Sequence, residues 1–213
     1  MIRREVIDGG YEFNFVIKYP EKFYKENKKF PLIVLLHGAG ERGNGRDELA
    51  KVEVHGFSKI FTEEKNYECA LIMPQCEENS FWAAKIQSIM KFTEQIAENY
   101  PIDKDRIYLT GISMGGYGTW YTAMAYPDKF AAIAPCCGGG MPWNAGVLKM
   151  PVWAFHGSCD EVVAPYNSID MVNAMKKFGY EPKLTVFEGV GHNSWDYTFD
   201  EELLSWLLQQ KRK

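Results

Sequence analysis

Ser113 is flanked two positions away on either side by glycine, in Gly111-Ile112-Ser113-Met114-Gly115. A serine hydroxyl is a weak nucleophile at its ordinary proton affinity. It does covalent chemistry only beside a base that a third group holds in place. The G-x-S-x-G spacing suits a sharp strand-to-helix turn that presents the hydroxyl at its apex. Glycine is needed two residues before and after, because a Cβ there would strike the neighbouring strand or helix. A helix beginning after Ser113 aims its free N–H groups and its dipole at the same place, which favours negative charge. The five-residue pattern is common by itself. Ile107, Tyr108 and Leu109 before it and a helical stretch after it make it specific.

On such a turn the serine is expected to come first in the chain, followed by the acid and then the histidine. Of the four histidines, His37 and His55 precede Ser113. His156 ends an apolar run and reads as a structural hydrogen-bonder. His192 lies in Gly189-Val190-Gly191-His192-Asn193, a glycine-rich loop after the last strand-like run, and is the expected base. Asp160, in His156-Gly157-Ser158-Cys159-Asp160, is the expected orienting acid. Glu161 is longer and is followed by Val162-Val163, a poorer fit, while Asp196 is a rival closer to the histidine loop.

An acyl-transfer site also needs two N–H donors for the developing oxyanion. One is expected from Met114. The other is expected from His37-Gly38-Ala39-Gly40-Glu41-Arg42-Gly43, with Ala39 preferred and Gly40 the alternative. This loop lacks the glycine spacings of phosphate cradles. Glu41 and Arg42 are expected to brace it. Trp82, Trp143 and Trp195, with Phe81, are candidate walls of an apolar or aromatic substrate pocket, whereas Tyr117 and Trp120 read as core.

These residues need elements to position them. Residues 11–19 alternate Tyr11, Phe13, Phe15, Ile17 and Tyr19, a half-buried antiparallel strand, and residues 2–7 can pair with it across Asp8-Gly9-Gly10. Continuously apolar runs follow at 31–37, 69–74, 106–112, 130–136, 151–157 and 183–189, as expected of parallel strands buried on both faces. Helices are expected near 47–62, 84–99, 115–126, 166–178 and 200–210. The alternation predicts one α/β domain over 1–213: a doubly wound, mostly parallel sheet of about eight strands, the first pair antiparallel, with helices on both faces. His37, Ser113, Asp160 and His192 all fall just after strand runs, on the carboxyl edge where such sheets bind ligands. The connection 136–151 is too short for a multi-helix lid.

A net charge of −4 argues against nucleic acid or an anionic membrane as partner. No apolar run approaches membrane-spanning length and the N-terminus does not read as a signal peptide, so a cytoplasmic location is expected. Five cysteines, Cys69, Cys76, Cys136, Cys137 and Cys159, include no C-x-x-C pair and fit a reducing compartment. With the four histidines they give no metal-ligand spacing, so no metal or cofactor is expected.

The segments LLHGAGERG (35–43), GISMGGYGTW (111–120), YPDKFAAIAPCCGGG (126–140), VWAFHGSCDEVV (152–163) and GVGHNSW (189–195) resemble the α/β-hydrolase esterases of the phospholipase/carboxylesterase and predicted-peptidase type. Feruloyl, acetyl-xylan and polyhydroxybutyrate-depolymerase-like enzymes are relatives in that group. The resemblance implies Ser113 as nucleophile, Asp160 as acid, His192 as base, and Ala39 and Met114 as oxyanion donors. It also implies a cofactor-free serine carboxylesterase acting on a small-molecule ester. A serine peptidase of the prolyl-oligopeptidase type and a non-catalytic interaction protein are the competing readings.

Overall fold

A computed structural model describes residues 1–212. Its eight-stranded sheet comprises β1 (Ile2–Ile7), β2 (Phe15–Pro20), β3 (Phe30–Leu36), β4 (Ala70–Pro74), β5 (Ile102–Ile112), β6 (Ala132–Cys136), β7 (Trp153–Gly157) and β8 (Lys183–Phe187). The spatial order is β1-β2-β4-β3-β5-β6-β7-β8. β2 is antiparallel to both its neighbours, and all the remaining pairs are parallel. The helices are α1 (Ile86–Asn99), α2 (Met114–Ala125), α3 (Tyr166–Lys177), the short α4 (Trp195–Thr198) and α5 (Glu201–Gln209).

Side chains alternate between the two faces along each strand. On β3, Leu32, Val34 and Leu36 join a core with Ile89, Phe92 and Ile96 of α1 and Trp120 of α2. Ile33 and Leu35 face the other way, onto Phe57, Phe61 and Leu203, Leu204 and Leu207 of α5. Both faces are covered, so every position of β3 is buried and the strand reads as an unbroken apolar run. This is the doubly wound α/β sheet expected from the alternation of runs.

The expected hairpin is longer than a two-residue turn. Ile7 pairs with Phe15, so residues 8–14 form the connection. The Asn14 side chain closes it, accepting from the Gly9 N–H at 2.8 Å and donating to Asp8 at 2.6 Å. Tyr11 and Phe13 still turn inward, from a loop, against Phe15, Trp82 and Phe92. β2 is buried along its whole length, because pairing with both β1 and β4 makes it an interior strand.

The helix expected at 47–62 is instead two 3-10 turns, Leu49–Glu53 and Gly56–Lys59. Gly56 sits at φ +70°, outside the helical region, and a Cβ there would lie 2.8 Å from Leu35 Cδ2. α5 starts one residue later than expected, where the Asp200 side chain accepts from the Leu203 N–H at 2.9 Å and caps it. The segment after β6 holds one 3-10 turn, Pro142–Val147. Among the described residues no helix is long and apolar enough to cross a membrane.

Leu109 is wholly buried in the middle of β5, between Val34 of β3 and Ile133 of β6. Leu109→Ala is expected to lower the unfolding free energy by about 2–5 kcal/mol in urea titrations. A loss below about 1 kcal/mol would mean that this part of the sheet is not tightly packed.

Candidate active site

Ser113 lies between β5 and α2 with φ 53° and ψ −112°, in the left-handed region that a residue with a Cβ seldom enters. Its neighbours leave little alternative. A Cβ on Gly111 would lie 2.3 Å from the Gly115 carbonyl oxygen, and one on Gly115 would lie 2.0 Å from that of Leu36. The start of α2 therefore runs against the end of β3 backbone to backbone. The Ser113 N–H donates to the Cys136 carbonyl at 3.0 Å, which ties the turn to β6 as well.

From this turn a hydrogen-bonded chain runs along the sheet edge. Ser113 Oγ is 2.8 Å from His192 Nε2, and His192 Nδ1 is 2.7 Å from Asp160 Oδ2. The other carboxylate oxygen, Oδ1, accepts the N–H groups of Val162 and Val163, each at 2.9 Å. Burial pushes the Asp160 carboxyl up. The His192 bond and the two backbone N–H groups outweigh it and hold the group below its ordinary range. An ionised carboxylate only accepts, so the His192 proton sits on Nδ1 and leaves Nε2 to accept from the serine hydroxyl. Ser113, His192 and Asp160, separated in sequence, are thus joined in one chain of hydrogen bonds.

The loop after β3 passes beside this turn: a Cβ on Gly38 would lie 3.7 Å from the Ile112 carbonyl oxygen. Neither the Ala39 nor the Met114 N–H is engaged by a protein acceptor among the described residues. The loop is held from behind. His37 is buried, with Nδ1 2.6 Å from the Gly38 carbonyl and Nε2 accepting the Cys76 N–H at 2.9 Å. Gln75 Nε2 donates to the Glu41 carbonyl at 2.9 Å. Arg42 Nε donates to the Ala39 carbonyl at 2.9 Å. Arg42 thus braces the loop through backbone carbonyls, while Glu41 approaches His55 at 3.8 Å.

The tryptophans separate. Trp82, expected as a pocket wall, is a correction: its side chain is wholly buried. Its indole N–H donates to the His37 carbonyl at 2.9 Å and its ring packs edge-on against Phe13, so it supports the loop from the core and is closed to a substrate. Trp143 is 79% exposed. Trp195 stands edge-on to the His192 ring at 5.3 Å and lies 5.4 Å from His55. Trp120 is core, as expected, and the Tyr117 hydroxyl reaches Asn167 at 3.3 Å.

Two further side chains lie beside the Asp160 carboxylate. Cys137 follows β6 at φ 41°, and its sulfur lies within 4.8 Å of donor atoms on both Asp160 and His192. Burial pushes its thiol well up, so it stays protonated beside the carboxylate. These are atoms of metal-ligand type, but the carboxylate already accepts the imidazole N–H. The second neighbour is His156, whose Nε2 lies 3.3 Å from Asp160 Oδ2. Its position at a strand end suggested a hydrogen-bonding role without naming the partner.

A mostly parallel sheet with a strained serine turn after its central strand defines an α/β-hydrolase fold. The phospholipase/carboxylesterase family matches residues 18–204, and the chain belongs to that family. A poly(3-hydroxyalkanoate) depolymerase C of Paucimonas lemoignei is 27% identical over 184 residues, covering 79% of this chain and 41% of that protein. A bifunctional acetylxylan esterase/xylanase of Neocallimastix patriciarum is 37% identical over 79 residues, 36% of this chain and 12% of that protein. The crystal structure of a thermostable esterase superposes with a TM-score of 0.79 at 30% identity, covering 99% of this chain and 63% of that one. The chain thus spans less than half the length of either curated relative.

Two outcomes test this construction. Gly115→Ala places a Cβ 2.0 Å from a backbone oxygen, whereas a Cβ at Gly40 meets nothing within 4 Å. Gly115→Ala is expected to abolish soluble expression or lower Tm sharply, and Gly40→Ala to leave Tm near wild type; equal effects would contradict the close approach. The second concerns pH. Burial pushes His37 down to about 4, partly opposed by its bond to Gly38. An unfolded histidine titrates near about 6.5, so between these values the unfolded chain holds a proton that the folded chain lacks. Stability is then full above about pH 6.5 and falls as the pH drops toward 4, by up to about 3 kcal/mol from this residue. Urea midpoints across that window should show the slope, and His37→Gln should flatten it.

Proposed function

We propose that the protein is a serine carboxylesterase that hydrolyses small or medium acyl esters through an acyl-enzyme. The observation that carries this reading is the continuous chain from Ser113 through His192 to Asp160, at 2.8 and 2.7 Å. Ser113 Oγ attacks the ester carbonyl while His192 Nε2 takes its proton. The imidazolium so formed is stabilised by the Asp160 carboxylate. The oxyanion accepts from the Met114 N–H and from the Ala39 N–H, two donors of a kind worth about 10²–10³-fold in rate each. His192 then protonates the departing alcohol. In the second half it activates water, which releases the acid and restores Ser113. Each step is acid–base or nucleophilic, and the reading assigns no step to a cofactor.

The names of the relatives supply the substrate side of the proposal. One is a poly(3-hydroxyalkanoate) depolymerase and another a bifunctional acetylxylan esterase/xylanase. Aryl, feruloyl or acetylated-sugar esters are the proposed substrates. Trp143 and Trp195 are the proposed apolar contacts at the rim.

Ser113→Ala should reduce p-nitrophenyl acetate turnover by about 10⁴-fold or more while leaving the melting temperature close to that of the wild type. A fluorophosphonate probe should label the wild type at Ser113 and not this variant. Retained turnover in Ser113→Ala would remove the assignment. Faster cleavage of a peptide p-nitroanilide than of the ester would move the reading to a peptidase.

A further inference from the structure

The triad carboxylate has a partner beyond the serine–histidine chain. His156 lies near the end of β7 with its side chain wholly buried. Its Nε2 is 2.8 Å from the Val163 carbonyl and 3.3 Å from Asp160 Oδ2. Its Nδ1 is 2.8 Å from Ser168 Oγ of α3, and that oxygen is 3.0 Å from the Gly138 carbonyl beyond β6. Both groups facing Nε2 are pure acceptors, so Nε2 carries the ring proton, donates it to the Val163 carbonyl and stands 3.3 Å from the carboxylate. Nδ1 and the Gly138 carbonyl then both face the single proton of the Ser168 hydroxyl, at 2.8 and 3.0 Å from its oxygen. Burial pushes the pKa of His156 down, opposed by the Val163 and Asp160 contacts, which keeps the ring neutral at neutral pH.

The donors around Asp160 divide evenly. Oδ1 takes the N–H groups of Val162 and Val163. Oδ2 takes His192 Nδ1 on one side and faces His156 Nε2 on the other. Val163 is held twice, by its N–H on the carboxylate and by its carbonyl on His156. The loop after β7 is thereby closed around the carboxylate and fastened to α3. A histidine that only ended a strand would need none of this. Its second ring nitrogen could face Val163 alone, yet here it also touches the oxygen that holds His192.

We propose that His156 is a positioning residue for the esterase reaction, holding the Asp160 carboxylate in the orientation that presents Oδ2 to His192 and tempering the charge on that oxygen. This rests on the Ser113–His192–Asp160 reading above. The titratable groups that face His156 are Asp160 from its own loop and His192 from the loop after β8. Its other partners, Ser168 and the carbonyls of Val163 and Gly138, carry no charge. Removal of the Nε2 donor leaves a less neutralised carboxylate beside His192. That favours the imidazolium and weakens the base in acid.

The test uses three variants, each with active sites counted by fluorophosphonate titration. His156→Leu removes both ring bonds. His156→Gln places an amide N–H where Nε2 stood. Ser168→Ala removes the anchor on Nδ1. His156→Leu is expected to lower kcat per titrated site by about tenfold to a hundredfold with KM within about twofold, the pattern of a misplaced catalytic group. The acid limb of its pH–rate profile should move upward by about half a pH unit. His156→Gln should recover most of kcat and return the limb toward wild type. A role in stability alone would lower Tm in both variants without moving either kcat per site or the limb, and that result would overturn the proposal. If His156→Leu does not fold, Ser168→Ala decides: a severalfold lower kcat at unchanged KM supports the proposal, and an unchanged kcat refutes it. Wild-type protein that the probe does not label at Ser113 would instead defeat the underlying triad reading, a failure visible before any His156 variant is made.

Discussion

Where α2 begins, its backbone meets the end of β3 with no room for a side chain between them. A Cβ on Gly115 would sit 2.0 Å from the Leu36 carbonyl oxygen, and one on Gly111 would sit 2.3 Å from that of Gly115. So close an approach is possible only if the chain reverses within one residue. Ser113 absorbs the reversal at φ 53°, a conformation that costs about 1–3 kcal/mol and persists only because its surroundings fix it. The surroundings are the two central parallel pairs, β3 with β5 and β5 with β6, which are buried on both faces. The strain at the serine is therefore carried by the core of the sheet. The same crowding lifts the hydroxyl out to the carboxyl edge, where the other strands end.

That edge is dense in polar groups, and nearly all of them are spoken for. The loop after β3 is pinned through His37, Trp82 and Gln75, the loop after β7 through Asp160 and His156, and the loop after β8 through the Ser158 side chain, which accepts the Gly189 N–H at 2.8 Å. The Cys159 N–H adds a bond to the Val190 carbonyl at 2.9 Å, so the acid and base loops are joined by backbone as well as by side chain. Against this background of satisfied donors, the free N–H groups at Ala39 and Met114 stand out. In the proposed reaction these two donors are left open for the oxyanion of the substrate.

Much of this was legible in the sequence because the relevant signals are local. The unbroken apolar runs marked buried parallel strands, and the glycines around Ser113 marked a backbone with no space for a Cβ. Chain order and position after the strand runs led from Ser113 to Asp160 and His192, and the structure brings all three together. What the sequence concealed depends on distant partners. A helical pattern at 47–62 is cut at Gly56 because Leu35, on another strand, lies beneath it. Trp82 sits next to exposed Phe81 in sequence, and only the fold turns one ring inward to His37 and leaves the other at the surface. Nor does any spacing reveal that the nitrogen of His156 aimed at Val163 also meets the carboxylate.

The histidines at this edge show how position rather than residue type assigns a role. His37 and His156 are buried, each with both ring nitrogens engaged, and burial pushes both toward the neutral form. They act as fixed donors and acceptors that hold a loop. His192 keeps 20% of its side chain in solvent, and one of its nitrogens faces a serine hydroxyl rather than a backbone group. In the proposed reaction, a proton that moves between nucleophile, leaving group and water needs a carrier that a substrate and water can reach. It also needs a carboxylate whose own position does not change as the charge on the ring does. Asp160 meets that second need through donors on both oxygens, from Val162, Val163 and His192, with His156 Nε2 3.3 Å from Oδ2. In the proposed mechanism the buried histidines and the partly exposed one thus divide the work: immobility falls to the first two, and proton transfer is left to the third.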